Sequence, residues 1–319
     1  MNSRSPYLAY LRTAAITVAT LVTGIVLSLL YFDSKNGLAP IPLWGSISFD
    51  EKAAFLRKLG PKHPEVLSIG SSLTLNNLSS AEVKANLPPG WGYLNLSAWA
   101  LVASNFHNLI DSVRDQYKPK VVITVCAGEW SGIDYPIDAE EYREFIRGDN
   151  FWKFFLRHFD VVYYWNRQKY ISKARADRSH YDSLRFDESG GIPYEFSYPN
   201  VDPVRWDAKL ALYPFKKNEY DALEEIAKNL ADSGITFLYV TPPMREVALT
   251  PAVRADREIH LAKVAEILQR HHGIHIDLRE VKIADSGYVD STHMNVEGAT
   301  QFTRALMARA KPLLLRVSR

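Results

Sequence analysis

The chain has 319 residues, 47% apolar and 23% charged, an ordinary globular composition that excludes a disordered or collagen-like polymer. Its net charge of +2 is carried by Arg4 and Arg12, since residues 1–32 hold no acid and the other 287 residues sum to zero. A neutral body argues against nucleic acid as a partner, because phosphate affinity rests on clustered Lys and Arg. The single cysteine, Cys126, lies in the apolar run 121–127 and reads as a buried, inert thiol.

Residues 13–32 form a run of 20 without a charge. At about 1.5 Å of helix rise per residue such a run is long enough to cross a hydrocarbon core. It ends in Leu29-Leu30-Tyr31-Phe32-Asp33 with no small-x-small cleavage site, so an uncleaved single-pass anchor is expected rather than a signal peptide. Arg4 and Arg12 before it, against Asp33 and Lys35 after it, place residues 1–12 in the cytoplasm and the bulk of the chain outside. Thr20, Gly24 and Ser28 share one helix face at a spacing that admits a second membrane helix. Residues 33–63, with Pro40, Pro42, Gly45, Gly60 and Pro61 around one short helical stretch at 50–59, read as a stalk.

From residue 64 to 319 short apolar runs alternate with amphipathic ones. Residues 66–69, 92–96, 121–126, 235–240 and 274–278 are predicted strands, and 99–117, 216–231, 256–272 and 296–315 predicted helices. That alternation predicts a three-layer α/β/α domain on a parallel sheet. Between the third and fourth strands lies an insertion at about 136–215, helical and aromatic over 140–171 and loop-like over 173–214. It is expected either to cover one end of the sheet or to act as a lid over a substrate groove.

Two segments carry chemistry. Val66-Leu67-Ser68-Ile69-Gly70-Ser71-Ser72 runs from a buried strand into glycine and two serines, and ligands of open α/β sheets bind beyond the carboxyl ends of strands. Near the other end Asp290-Ser291-Thr292-His293 leads into the last helix. A spacing of three lets the carboxylate hold one imidazole nitrogen while the other faces a hydroxyl nucleophile. Arg245, after the fourth strand, is a candidate for a substrate carboxylate or phosphate. His271, His272 and His275 have no companion at metal-ligand spacing, so no metal is expected, and no cofactor is called for.

These motifs resemble the SGNH (GDSL-like) hydrolase and acyltransferase superfamily over residues 64–315. Gly70-Ser71-Ser72 matches the Gly-Asp-Ser block and Asp290-Ser291-Thr292-His293 the terminal Asp-x-x-His block. The resemblance implies an SGNH-like, flavodoxin-like fold with Ser72 as nucleophile, His293 as general base and Asp290 as its orienter. The middle blocks depart from the family: Ser97 replaces the second-block glycine, and Trp130 stands at the third-block asparagine of Ala127-Gly128-Glu129-Trp130-Ser131. Oxyanion donors are then expected from the backbones of Ser97 and Ser72 or from Ser131, and Trp130 joins Arg245 as a substrate-binding candidate. The Gly-Ser-Ser block and the anchor are most similar to the cell-envelope acyl-transfer branch, as in teichoic-acid D-alanylation and alginate O-acetylation. That resemblance implies a multi-pass membrane-bound O-acyltransferase as partner and a cell-envelope glycan or acyl donor as substrate. The alternatives are a stand-alone envelope acyl esterase with the same triad and, in a different class, a non-catalytic scaffold or glycan-binding partner on the same fold.

Overall fold

The computed structural model describes residues 6–60, 62–128, 137–148, 150–210 and 217–318. Strands β1 (Val66–Ser68), β2 (Tyr93–Asn95), β3 (Val121–Val125), β4 (Thr236–Thr241) and β5 (Ile274–Asp277) form one parallel sheet, in the flavodoxin-like order β2-β1-β3-β4-β5. These are the five strands expected from the apolar runs. β1, β2 and β3 are buried along their whole length, which is why they read as continuous apolar or near-apolar stretches rather than as alternating ones.

Helices follow in chain order: α1 (Pro6–Asn36), α2 (Ile47–Leu59), α3 (Ser72–Asn77), α4 (Ser80–Ala85), α5 (Ala103–Phe106), α6 (Ile110–Tyr117), α7 (Ala139–Arg147), α8 (Phe151–Arg157), α9 (Val161–Ala176), α10 (Pro203–Trp206), α11 (Lys217–Asp232), α12 (Pro251–Arg270) and α13 (Val296–Val317). The two sheet faces sort by strand alternation. Leu67, Leu94, Val122, Phe237 and Tyr239 point into a core shared with α2, α5 to α9, α11 and α12, whereas Val66, Ile123, Val125, Leu238 and Val240 meet α3, α4 and α13. The result is the three-layer α/β/α architecture.

Three expectations need correction. The predicted helix 99–117 starts late: Ala98 N–H donates to Gly70 O and Ala100 takes φ 55°, so the chain is held as a loop against the turn after β1 until α5 begins. α12 starts early, at Pro251, because Thr250 accepts from Val253 N–H as N-cap and proline suits the first helical turn. The segment 33–63 is no free stalk. α1 runs to Asn36, and Ala39, Ile41, Trp44, Phe49, Ala53 and Leu56 are then buried in the main core, with Ala39 N–H bonded to Gln168 Oε1 of α9 and Trp44 N–H to Asp50.

The insertion has two parts with different duties. Of its helices, α7 packs on α2 and α6 and α9 on α1, while α8 joins them through Phe154 against Phe145 and Phe155 against Tyr164. Its loop, residues 177–202, crosses the carboxyl edge of the sheet: Asn95 N–H donates to Ser189 O at 2.7 Å, Ile192 N–H to Leu75 O at 3.1 Å, and Val296 N–H to Tyr194 O at 2.9 Å. At the first of these crossings Gly190 takes φ 87°, and a side chain there would put its Cβ 2.5 Å from Asn95 O. α1 contains a segment, Pro6–Ser34, in which an 18-residue stretch has a mean hydropathy of 2.1 and no buried residue, long and apolar enough to cross a membrane.

Candidate active site

Ser72 is the first residue of α3, four positions beyond the end of β1. The turn between them needs glycine: a Cβ on Gly70, whose φ is 156°, would lie 2.4 Å from Thr74 Oγ1. That hydroxyl is already engaged with both the carbonyl and the N–H of Val125, each at 3.0 Å, and so fastens α3 to the end of β3. The backbone N–H of Ser72, in the first turn of a helix, has no partner four residues back.

Asp290 and His293 sit in the turn between β5 and α13. Asp290 Oδ1 accepts from the backbone N–H groups of Thr292 at 2.8 Å and His293 at 2.6 Å, which closes the turn, and Oδ2 lies 2.8 Å from His293 Nδ1. The other imidazole nitrogen, Nε2, lies 2.9 Å from Ser72 Oγ. A serine, an imidazole and a carboxylate from opposite ends of the chain are therefore in one hydrogen-bonded line at the carboxyl edge of the sheet. Burial alone would raise the Asp290 carboxyl, but the facing His293 and the two N–H donors outweigh it and hold it down at about 2.

Asn77, which the motifs do not single out, holds the two halves together. Buried at the end of α3, it donates from Nδ2 to Thr292 O at 3.0 Å and accepts at Oδ1 from Met294 N–H at 2.9 Å, gripping the backbone on either side of His293. Its neighbour Asn76 donates to Ile192 O at 2.8 Å and ties the crossing loop to the same helix. The ring of Tyr194 meets that of His293 edge-on at 6.4 Å. An open groove of about 370 Å³ lies alongside, bounded by Tyr194, Glu195, Phe196, Asn295 and Glu297. The loop half of the insertion thus walls the site.

Other candidates fare differently. Ser97 is fully buried and its N–H is spent on Asn95 Oδ1 at 2.9 Å, so its backbone offers no oxyanion donor. Arg245 is not at a binding surface either: only 7% exposed, it lies over the Trp206 ring at 3.5 Å, donates to Trp206 O and bonds Asp285 at 3.2 Å. It fastens the loop after β4 to α10 and to the turn before Tyr288. Trp130 and Ser131 lie outside the described residues. Cys126 is half-buried rather than buried, and with Gly70, Ser71 and Leu101 it lines a small pocket beside the nucleophile turn. Among the described residues no group of His, Cys, Asp and Glu could hold a metal ion. His271 bonds Glu224 and His275 bonds Thr241.

No family model matches the sequence, and no curated protein matches it. Among solved structures the chain is similar to an alpha/beta hydrolase enzyme from the metagenome of Lake Arreo, Spain, with 13% identity and a TM-score of 0.43 over 80% of this chain and 98% of that one. It is also similar to a carbohydrate acetylesterase from Sinorhizobium meliloti, with 10% identity and a TM-score of 0.41 over 79% of this chain and 99% of the other. A family 3 carbohydrate esterase from Clostridium thermocellum gives 8% identity and a TM-score of 0.40 over 82% and 100%.

Proposed function

We propose that the protein is a membrane-anchored, serine-dependent acyl-transfer enzyme of SGNH type that acts on a cell-envelope polysaccharide or teichoic-acid-like polymer. The observation that carries the reading is the line Ser72 Oγ, His293 Nε2, His293 Nδ1, Asp290 Oδ2, with links of 2.9 and 2.8 Å across the imidazole. In this mechanism Ser72 Oγ attacks the acyl carbonyl while His293 takes its proton, and Asp290 fixes the ring and balances its charge. The tetrahedral intermediate collapses, and the leaving alcohol or thiol departs with the proton from His293. A sugar hydroxyl, or water, then gives its proton to His293, attacks the acyl-enzyme and regenerates Ser72. The Ser72 N–H, free of an intrahelical partner, is the oxyanion donor among the described residues. With α1 as a single-pass anchor in the bacterial inner membrane, the catalytic domain lies on the extracytoplasmic side, beside a multi-pass membrane-bound O-acyltransferase.

A fluorophosphonate probe tests the chemistry. The full chain should be labelled on Ser72, with Ser72→Ala unlabelled and His293→Ala strongly slowed; equal labelling of wild type and Ser72→Ala would remove the assignment. One observation favours the scaffold reading. The Ser97 N–H is engaged elsewhere, the Trp130 side chain brings no amide, and each missing donor costs roughly 2.7 to 4 kcal/mol of transition-state stabilisation. Polymer acylation restored in full by Ser72→Ala and by His293→Ala would decide for the scaffold.

A further inference from the structure

Helices α8 and α9 are apolar on the side that packs and also on the side that does not. Phe154, Phe155 and Tyr164 point into the core, yet Trp152 is 68% exposed, Leu156 72%, Val162 62% and Trp165 67%. Trp152 and Leu156 are four apart on α8, and Val162 and Trp165 three apart on α9, so each pair forms a stripe on one helix face. Stripes of this size are costly in water and mark a covered surface.

Their place relative to α1 indicates what covers them. The uncharged run 13–32 spans about 30 Å as a helix, the thickness of a hydrocarbon core, which puts Phe32 at the boundary with the headgroups. Phe32 meets Trp165 edge-on at 5.9 Å, so α9 lies at that same level. Tryptophan belongs there, with its ring in the acyl boundary and its N–H toward water. Arg167 and Lys169, farther along α9, have no carboxylate partner among the described residues and suit an anionic headgroup layer. Between α1 and α8 opens a cleft of about 950 Å³, walled by Leu29, Leu30, Phe55, Phe151 and Phe155 and rimmed by the charged groups of Asp33, Arg57 and Lys58.

We propose that the exposed face of α8 and α9 is a second membrane contact, seated in the interfacial layer of an anionic bilayer beside the point where α1 leaves it. The proposal rests on α1 as a membrane span, and the test separates the two. Single cysteines on a Cys126→Ser background, at Leu156, Val162, Val22 and Val204, carry an environment-sensitive fluorophore in the full chain. The chain is reconstituted in phosphatidylglycerol and phosphatidylcholine vesicles with and without brominated acyl chains. Val22 lies mid-span, and Val204 is 82% exposed outside α8 and α9. Labels at 156 and 162 should shift to the blue and lose most of their emission to brominated lipid, as at 22, while 204 stays unquenched. Quenching at 22 with none at 156 and 162 overturns the proposal and leaves the span intact, and no quenching at 22 removes its premise. If 156 and 162 become shielded only when native membrane protein is co-reconstituted, the face belongs to a protein partner and the lipid assignment is wrong.

Discussion

Asp290 has two duties, one for each carboxylate oxygen: Oδ1 closes the turn and Oδ2 steers the imidazole. Asp290→Asn keeps the shape but offers Nδ1 a mismatched partner, and kcat should fall by about 10⁴ with KM little changed. Because the carboxyl is held at about 2, below its unfolded value, it contributes stability that is present above about pH 4 and lost as pH falls through 2. Urea unfolding of wild type should therefore lose about 2 kcal/mol between pH 5 and pH 2 relative to Asp290→Asn. Asn77→Ala removes both bonds that grip the His293 backbone, one to Thr292 and one to Met294, and should cost about 1 to 3 kcal/mol of stability and lower kcat more than it raises KM. Ser72, Asp290 and His293 were legible because a strand end and an Asp-x-x-His turn are local patterns. Asn77 was not, since its partners lie 215 and 217 residues away and nothing near it in the chain marks the contact.

At the scale of an element, α2 shows what composition hides. Burial pushes Asp50 up to about 7 despite N–H donors from Trp44 and Leu43, and burial brings Lys52 down to about 7 despite Asp187. Lys52 Nζ donates to Asn95 O at 3.0 Å and also to Gly190 O, so this helix joins β2 to the loop that walls the site. Between about pH 4 and 7 the native chain keeps an Asp50 proton that the unfolded chain has lost, and stability falls as pH rises. From about pH 7 to 10.5 the unfolded chain holds the Lys52 proton that the native one lacks, and stability recovers. The two effects predict a stability minimum near pH 7. Asp50→Asn, which keeps an oxygen for Trp44 N–H, should remove the falling limb and raise stability at pH 8 by on the order of 4 kcal/mol in urea unfolding. The expected stalk missed all of this, because Pro40, Pro42 and Gly45 punctuate a segment whose apolar residues Ala39, Ile41 and Trp44 are its packing surface. Arg245 misled for a related reason. A cation after a strand reads as a binding group until the Trp206 ring, 39 residues earlier, is seen beneath it.

For the molecule as a whole, the alternation of strands and helices made the parallel sheet readable, and the insertion stood out by length. Its division into a helical half and a loop half was readable too, but that the loop half walls the site was not, because this depends on hydrogen bonds to Leu75, Asn95 and Val296, none adjacent in the chain. The burial that begins at Ala39 gives a further expectation. Limited digestion with a non-specific protease in mild detergent should place the front edge of the protected core near Gly37, and cleavage spread over residues 38–59 would contradict that packing. With α1 in a bilayer, the consequence is mechanical. A tethered enzyme on a slack leash sweeps a hemisphere and meets its substrate by wandering, whereas this one has no leash. Ser72 would be carried at a set height and heading above the lipid, like a fixed tool on a bench, and a substrate would have to be brought to it.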